Sequence, residues 1–143
     1  MDTELLKTAM DRVEIDALKA AYCDACDDDH NGEAVASLFL PDGVWEFVGR
    51  PPQVGTGNIR THFLSIRESG EIACSAHLLS NGVVEVTGDT ATARWRFQMI
   101  YTDPRGAGHQ IIGRYEDHFQ RTAEGWRFSV LRATVEQRHD LAS

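Results

Sequence analysis

From Ile72 to the C-terminus the chain carries four β-rich segments, at about 74–87, 90–103, 108–121 and 125–138, and little else. Gly88-Asp89, Asp103-Pro104-Arg105-Gly106 and Ala123-Glu124-Gly125 separate them, and turns this short dictate antiparallel hairpins. Apolar residues alternate with polar ones in Val84-Val86 and in Ala91-Ala93-Trp95-Phe97, so one face of the meander is buried and the other wet. Segments of about 12–14 residues are more than twice the usual strand length. Strands that long must twist and curl.

The first half supplies what covers the curled face. Leu5, Leu6 and Met10 mark a short helix or lead-in, and Asp11 with Glu14 resembles a capping box opening a longer helix to about Asp28. Its apolar positions, Ile15, Leu18, Tyr22 and Ala25/Cys26, recur at steps of three and four. Asn31-Gly32 breaks it, and 33–39 reads as a third helix ended by Pro41-Asp42-Gly43. Val44–Val48 alternates as a strand, 49–57 is a Gly/Pro loop, and 58–66 reads as a fourth helix stopped near Gly70. Helices first and a meander afterwards mean α+β: three to four N-terminal helices on a strongly curved, mostly antiparallel sheet enclosing a pocket. No linker or repeat interrupts residues 1–143, so a single domain is expected.

Composition narrows the function. A net charge of −8, with arginines scattered among acidic residues, disfavours nucleic acid as a partner. No apolar run is long enough to cross a membrane, and the acidic start Met1-Asp2-Thr3-Glu4 is unlike a secretory signal, so the expected location is the cytoplasm. Cys23 and Cys26 have the spacing of half a zinc or redox motif, but no second half follows and no metal is expected. Hydrolase, phosphate-loop and dinucleotide fingerprints are absent.

The segment Tyr22-Cys23-Asp24-Ala25-Cys26-Asp27-Asp28-Asp29-His30 ends an apolar-faced helix in four carboxylates and a histidine. A carboxylate turned inward from such a cluster is desolvated, which suits proton transfer; the alternative is a solvated acidic helix end. His77, near the start of the first long strand, can take a proton at neutral pH if a carboxylate fixes its tautomer. Asp27 lies about 140° round the helix from Tyr22, so wheel geometry favours Asp29 instead. Tyr22, on the apolar face, could hydrogen-bond a leaving group or an oxyanion. Trp45, Phe63, Trp95, Phe97, Met99 and Tyr101 are candidate pocket-lining residues, and Tyr115 and Arg132 could point polar groups inward. His30 is a competitor for Asp27, whereas His62, His109, His118 and His139 read as surface histidines.

The chain resembles the SnoaL-like branch of the NTF2-like α+β cone superfamily. The likeness rests on Ile15–Tyr22, Asp27, Val35–Trp45, His77, Val83–Val86, Gly88–Ala91, Gly113–Asp117 and Gly125–Phe128. It is similar to bile-acid 7α-dehydratase, scytalone dehydratase and hexachlorocyclohexane dehydrochlorinase. The resemblance implies a Tyr, an Asp five residues later and a strand His, matched by Tyr22, Asp27 and His77, and it selects Asp27 over Asp29. It further implies a cofactor-independent lyase or isomerase on an apolar cyclic small molecule. The same fold also carries small-ligand binders, assembly subunits, polyketide cyclases and epoxide hydrolases. A bare sheet face exposing apolar surface would lead to a homodimer or homotrimer.

Overall fold

A computed structural model describes residues 2–141; Met1, Ala142 and Ser143, part of the expected domain span, lie outside the described residues. Three helices precede and interleave with six strands: α1 Thr3–Asp27, α2 Gly32–Ala36, β1 Phe39–Phe47, β2 Gln53–Val54, α3 Thr56–Ser69, β3 Cys74–Thr87, β4 Thr90–Thr102, β5 Gly108–Thr122 and β6 Gly125–Asp140. The four long strands fall within a few residues of where alternation and turns place them.

The helical half departs from expectation in one instructive way. There is no break at Asp11; α1 is continuous, and Asp2 caps it by accepting from the backbone N–H groups of Glu4 and Leu5. Asp11 instead receives a two-pronged ion pair from Arg121 at 2.7 and 2.8 Å and the indole N–H of Trp126 at 3.2 Å. Glu14 accepts the backbone N–H of Trp126 at 2.8 Å. Residues three apart share a helix face, so this pair, which resembles a cap in sequence, clamps α1 to the β5–β6 hairpin.

The sheet order is β2-β1-β6-β5-β4-β3. All pairings are antiparallel except β1 with β6. The third helix, expected over 33–39, stops at Ala36, and Pro41-Asp42-Gly43, expected to end it, runs inside β1; the ladder with β6 slips there, between Phe39 and Val44, which accommodates a proline lacking an N–H. A second irregularity lies on β6, where Ile112 faces Gln137 but Gly113 faces Val135, leaving Glu136 as an extra residue.

Ala91, Ala93, Trp95, Phe97 and Met99 alternate into the concave side and pack with Ile15, Leu18 and Tyr22 of α1 and Ile59 and Phe63 of α3. The convex side carries Thr92, Arg94, Arg96, Arg114 and Glu116, all exposed. The same side exposes Leu78, Val83 and Ile100, so it is mixed in character, with apolar side chains set among charged ones. A second group of exposed apolar side chains lies on the first half of α1, at Leu5, Leu6, Met10 and Val13.

Candidate active site

The end of α1 builds the site. His30 N–H bonds to the Cys26 carbonyl at 3.1 Å and Asn31 N–H to that of Ala25 at 3.0 Å. Closing the helix this way puts Asp29 and His30 in left-handed backbone, at φ 49° and 52°, where residues other than glycine are uncommon. Arg67 holds the bend by donating to the Asp29 carbonyl at 2.7 Å.

Asp27, the last helical residue, meets the start of β3. Its Oδ1 receives His77 Nδ1 at 2.6 Å and Ser75 Oγ at 2.8 Å, and its Oδ2 receives the His77 backbone N–H at 2.8 Å. Burial raises the Asp27 pKa, but these hydrogen bonds outweigh it and hold the carboxyl below its ordinary value. An ionised carboxylate only accepts, so Nδ1 carries the proton and Nε2 presents its lone pair. Asp29 is exposed and pairs with Arg67. The helix ends before the wheel argument could apply to it. His30 is buried against Phe63 and makes no bond to Asp27.

His77 opens into a cavity of about 250 Å³ between the concave face and α3. Tyr22, Trp45, Phe63, Phe97, Met99, Tyr101 and Tyr115 line it. The Trp45 indole N–H donates to the Tyr22 oxygen at 2.9 Å, so the phenol's own hydrogen is not needed for that bond. Burial pushes the Tyr22 phenol well above its ordinary pKa, keeping it protonated at neutral pH. Trp95 and Arg132, offered as pocket residues, are not in the lining. Trp95 packs edge-on against Phe119, deeper in the core, and Arg132 pairs outside with Glu46 at 2.9 Å. A larger groove of about 830 Å³ crosses the convex face by Arg94, Arg96 and Arg114, away from the dyad.

Sequence reasoning missed several groups. His62 lines the cavity, tilted against Trp45 with ring centres 4.8 Å apart, although it reads as a surface residue. Ile59, His62, Phe63 and Ile66 form an i, i+3, i+4, i+7 stripe that could have revealed it. Arg50 and Arg138 also line the cavity. Behind Tyr115, Lys19 and Asp117 form a fully buried ion pair at 2.8 Å, with the Lys19 ammonium 3.3 Å from the Tyr115 ring centre. Lys19 lies on the stripe of Ile15, Leu18 and Tyr22, and Asp117 alternates with Tyr115 and Phe119, so both were visible as charges on apolar faces. Cys23 and Cys26 are free and buried. Among the described residues no three His, Cys, Asp or Glu side chains are grouped to hold a metal. No helix among them is long and apolar enough to cross a membrane.

Comparison with known proteins places this geometry. An uncharacterized Mycobacterium tuberculosis protein, Rv2910c, is 29% identical over 140 residues, covering 89% of this chain and 88% of its own. An NTF2-like protein with a cystatin-like fold from Novosphingobium aromaticivorans superposes with a TM-score of 0.80 at 28% identity, over 92% of this chain and 86% of that one. The hexachlorocyclohexane dehydrochlorinase LinA-type3 from Novosphingobium barchaimii gives 0.85 over 99% and 96% of the two chains, and at 18% identity this is a likeness of fold alone. The SnoaL-like domain family matches residues 7–132, which is most of the chain. With its helices laid across a curved, unclosed sheet, the chain belongs to the SnoaL-like family of NTF2-like α+β cones.

Proposed function

We propose that residues 1–143 act as a single-domain, cofactor-independent lyase or isomerase on an apolar cyclic small molecule. The observation that carries this reading is the 2.6 Å contact between Asp27 and His77 Nδ1, with the imidazole opening into an aromatic-lined cavity. His77 Nε2 removes a proton from carbon, and Asp27 fixes the tautomer and stabilises the imidazolium that forms. In an elimination the C–H electron pair becomes the new double bond as the C–O bond breaks. Tyr22 donates its hydrogen bond to the departing oxygen, which leaves as water on taking the proton from His77. In an isomerisation the same proton returns to another carbon while Tyr22 holds the enolate oxygen. Both sequences balance without an electron carrier. A non-catalytic binding module would not require the Asp27–His77 contact, and its presence favours the catalytic reading. Homodimer or homotrimer assembly and a cytoplasmic location belong to the same proposal; sedimentation velocity tests the first.

Proton abstraction is common to all these reactions, so the test is exchange or elimination across a panel of cyclic ketones and β-hydroxy ketones in D₂O, followed by NMR. On any compound turned over, His77→Ala is expected to lower the rate by about 10²–10⁴. Equal rates for wild type and His77→Ala would remove the base from the proposal.

A further inference from the structure

The cavity lining holds two guanidinium groups that the proton-transfer reading does not use. Arg50, just past β1, lies 5.3 Å from the Phe47 ring centre. Arg138 is on β6. Neither has a carboxylate partner among the described residues, as is true of Arg12, Arg94, Arg105 and Arg127, whereas Arg60, Arg67, Arg96, Arg114, Arg121 and Arg132 are paired. Of these unpaired arginines, Arg50 and Arg138 are the two that line the aromatic cavity. Glu71 is the acidic residue in the lining, and Asp27 lies behind His77.

How Arg138 comes to face the cavity is specific. Strand registers pair His77 with Met99, Met99 with Ile111, and Ile111 with Arg138, a single row across β3, β4, β5 and β6. Directly opposed residues share a face of the sheet. Were Glu136 paired as an ordinary strand residue, alternation from Ala133 and Val135 would bring Gln137 inward and send Arg138 out. The bulge reverses that parity, as bulges beside binding sites do. Arg96 and Arg114 hold the Glu136 carboxylate by ion pairs on the opposite face.

We infer that Arg138, with Arg50, forms an anion subsite, and that the substrate is an apolar ring system bearing a carboxylate or comparable anionic group. The row sets its reach: three strand spacings of about 4.8 Å separate His77 from Arg138, roughly 14 Å along the sheet and less across its concavity. The inference rests on the cavity being the substrate site, and it specifies the end of the substrate remote from the reacting carbon. Arginine suits the role because its planar fork can give two parallel hydrogen bonds to one anion.

The test uses two fluorescent probes with one skeleton, 1-anilinonaphthalene-8-sulfonate and its uncharged counterpart N-phenyl-1-naphthylamine. Titrations are made on wild type, Arg138→Gln, Arg50→Gln, Arg138→Lys, His77→Ala and, for the convex groove, Arg94→Gln. The wild type is expected to bind the sulfonate about tenfold more tightly than the neutral probe, a difference of about 1.4 kcal/mol. Arg138→Gln and Arg50→Gln should each erode that preference without changing neutral-probe binding, and Arg138→Lys should keep part of it. Absence of the preference in wild type, its survival in both glutamine variants, or its loss in Arg94→Gln would overturn the subsite. His77→Ala should leave the preference intact. Failure of the base assignment, read from turnover, is therefore distinguishable from failure of the anion subsite, read from binding.

Discussion

Replacing Lys19 by methionine removes one half of a charge pair that has no water to fall back on. Both side chains are fully buried, 2.8 Å apart, and Asp117 also accepts the backbone N–H of Arg132 at 3.3 Å. Burial pushes the Lys19 amine down and the Asp117 carboxyl up, each opposed by the charge of the other. Methionine fills similar space but strands the carboxylate among Tyr22, Tyr115 and Phe128, the rings that surround the ammonium. Breaking a buried pair from one side costs about 3–5 kcal/mol, and with no exposure there is no solvent screening to discount it. At about 2.1 cal/mol/K of unfolding entropy per residue, a chain of 143 residues loses about 10–17 °C in Tm. The assay is urea and thermal unfolding of Lys19→Met, Asp117→Asn and the double variant. Asparagine retains an acceptor for the Arg132 N–H, so the double variant is expected to be less destabilised than the sum of the singles and more stable than Lys19→Met alone. A loss below about 1 kcal/mol in Lys19→Met, the range of an exposed pair, would refute the reasoning.

Two further predictions concern the cysteines and His109. Cys74 is exposed, whereas burial pushes the Cys23 thiol up to about 11 and the Cys26 thiol higher still, so iodoacetamide at neutral pH should modify one cysteine in the native chain and all three after unfolding; comparable native rates at Cys23 would contradict the packing. His109 donates to Asp103 at 3.0 Å and to Asp140 at 2.9 Å, bonds that require both ring nitrogens protonated, and these raise its pKa above the ordinary 6.5. A raised folded-state pKa means the stabilisation is complete below pH 6.5 and fades as pH rises through the folded value. The protection factor of the Leu141 amide, whose N–H bonds to the Gly108 carbonyl, should fall over that range once the intrinsic base-catalysed rate is divided out, and should show no such fall in His109→Gln.

What the sequence showed depended on whether periodicity or register decided the matter. Strand limits at 74–87 and 90–102 follow from alternation and turn residues, both local. The family pattern selected Asp27 where helix-wheel geometry favoured Asp29, because the wheel assumes a helix that in fact stops at Asp27. Asp11 and Glu14 read as a cap because capping and clamping use the same residue types; only the tertiary position of Arg121 and Trp126 separates the two. Trp95 and Phe97 stand on the same face of β4, yet Phe97 lines the cavity and Trp95 lies deeper, a difference set by where the helices lie along the strand. Gly113 contributes here too: a β-carbon at that position would lie 2.8 Å from the Phe97 ring, so the bare backbone lets Phe97 stack on Tyr115 at 4.4 Å. No single-residue pattern announces such an accommodation.

The extra residue on β6 acts on the strand as a frameshift acts on a message. Val130 to Val135 are read in one phase and the residues from Gln137 onward in the other, while the hydrogen-bonded ladder continues on both sides. Loss of the bulge at constant chain length would exchange Arg138 for Gln137 and His139 at the cavity without touching the dyad or the helices, whereas deleting Glu136 would leave Arg138 opposite Ile111. Related chains could therefore diverge in what they admit by making or losing a bulge at the end of their last strand, where a column-by-column comparison would record the same residues while different ones reach the cavity.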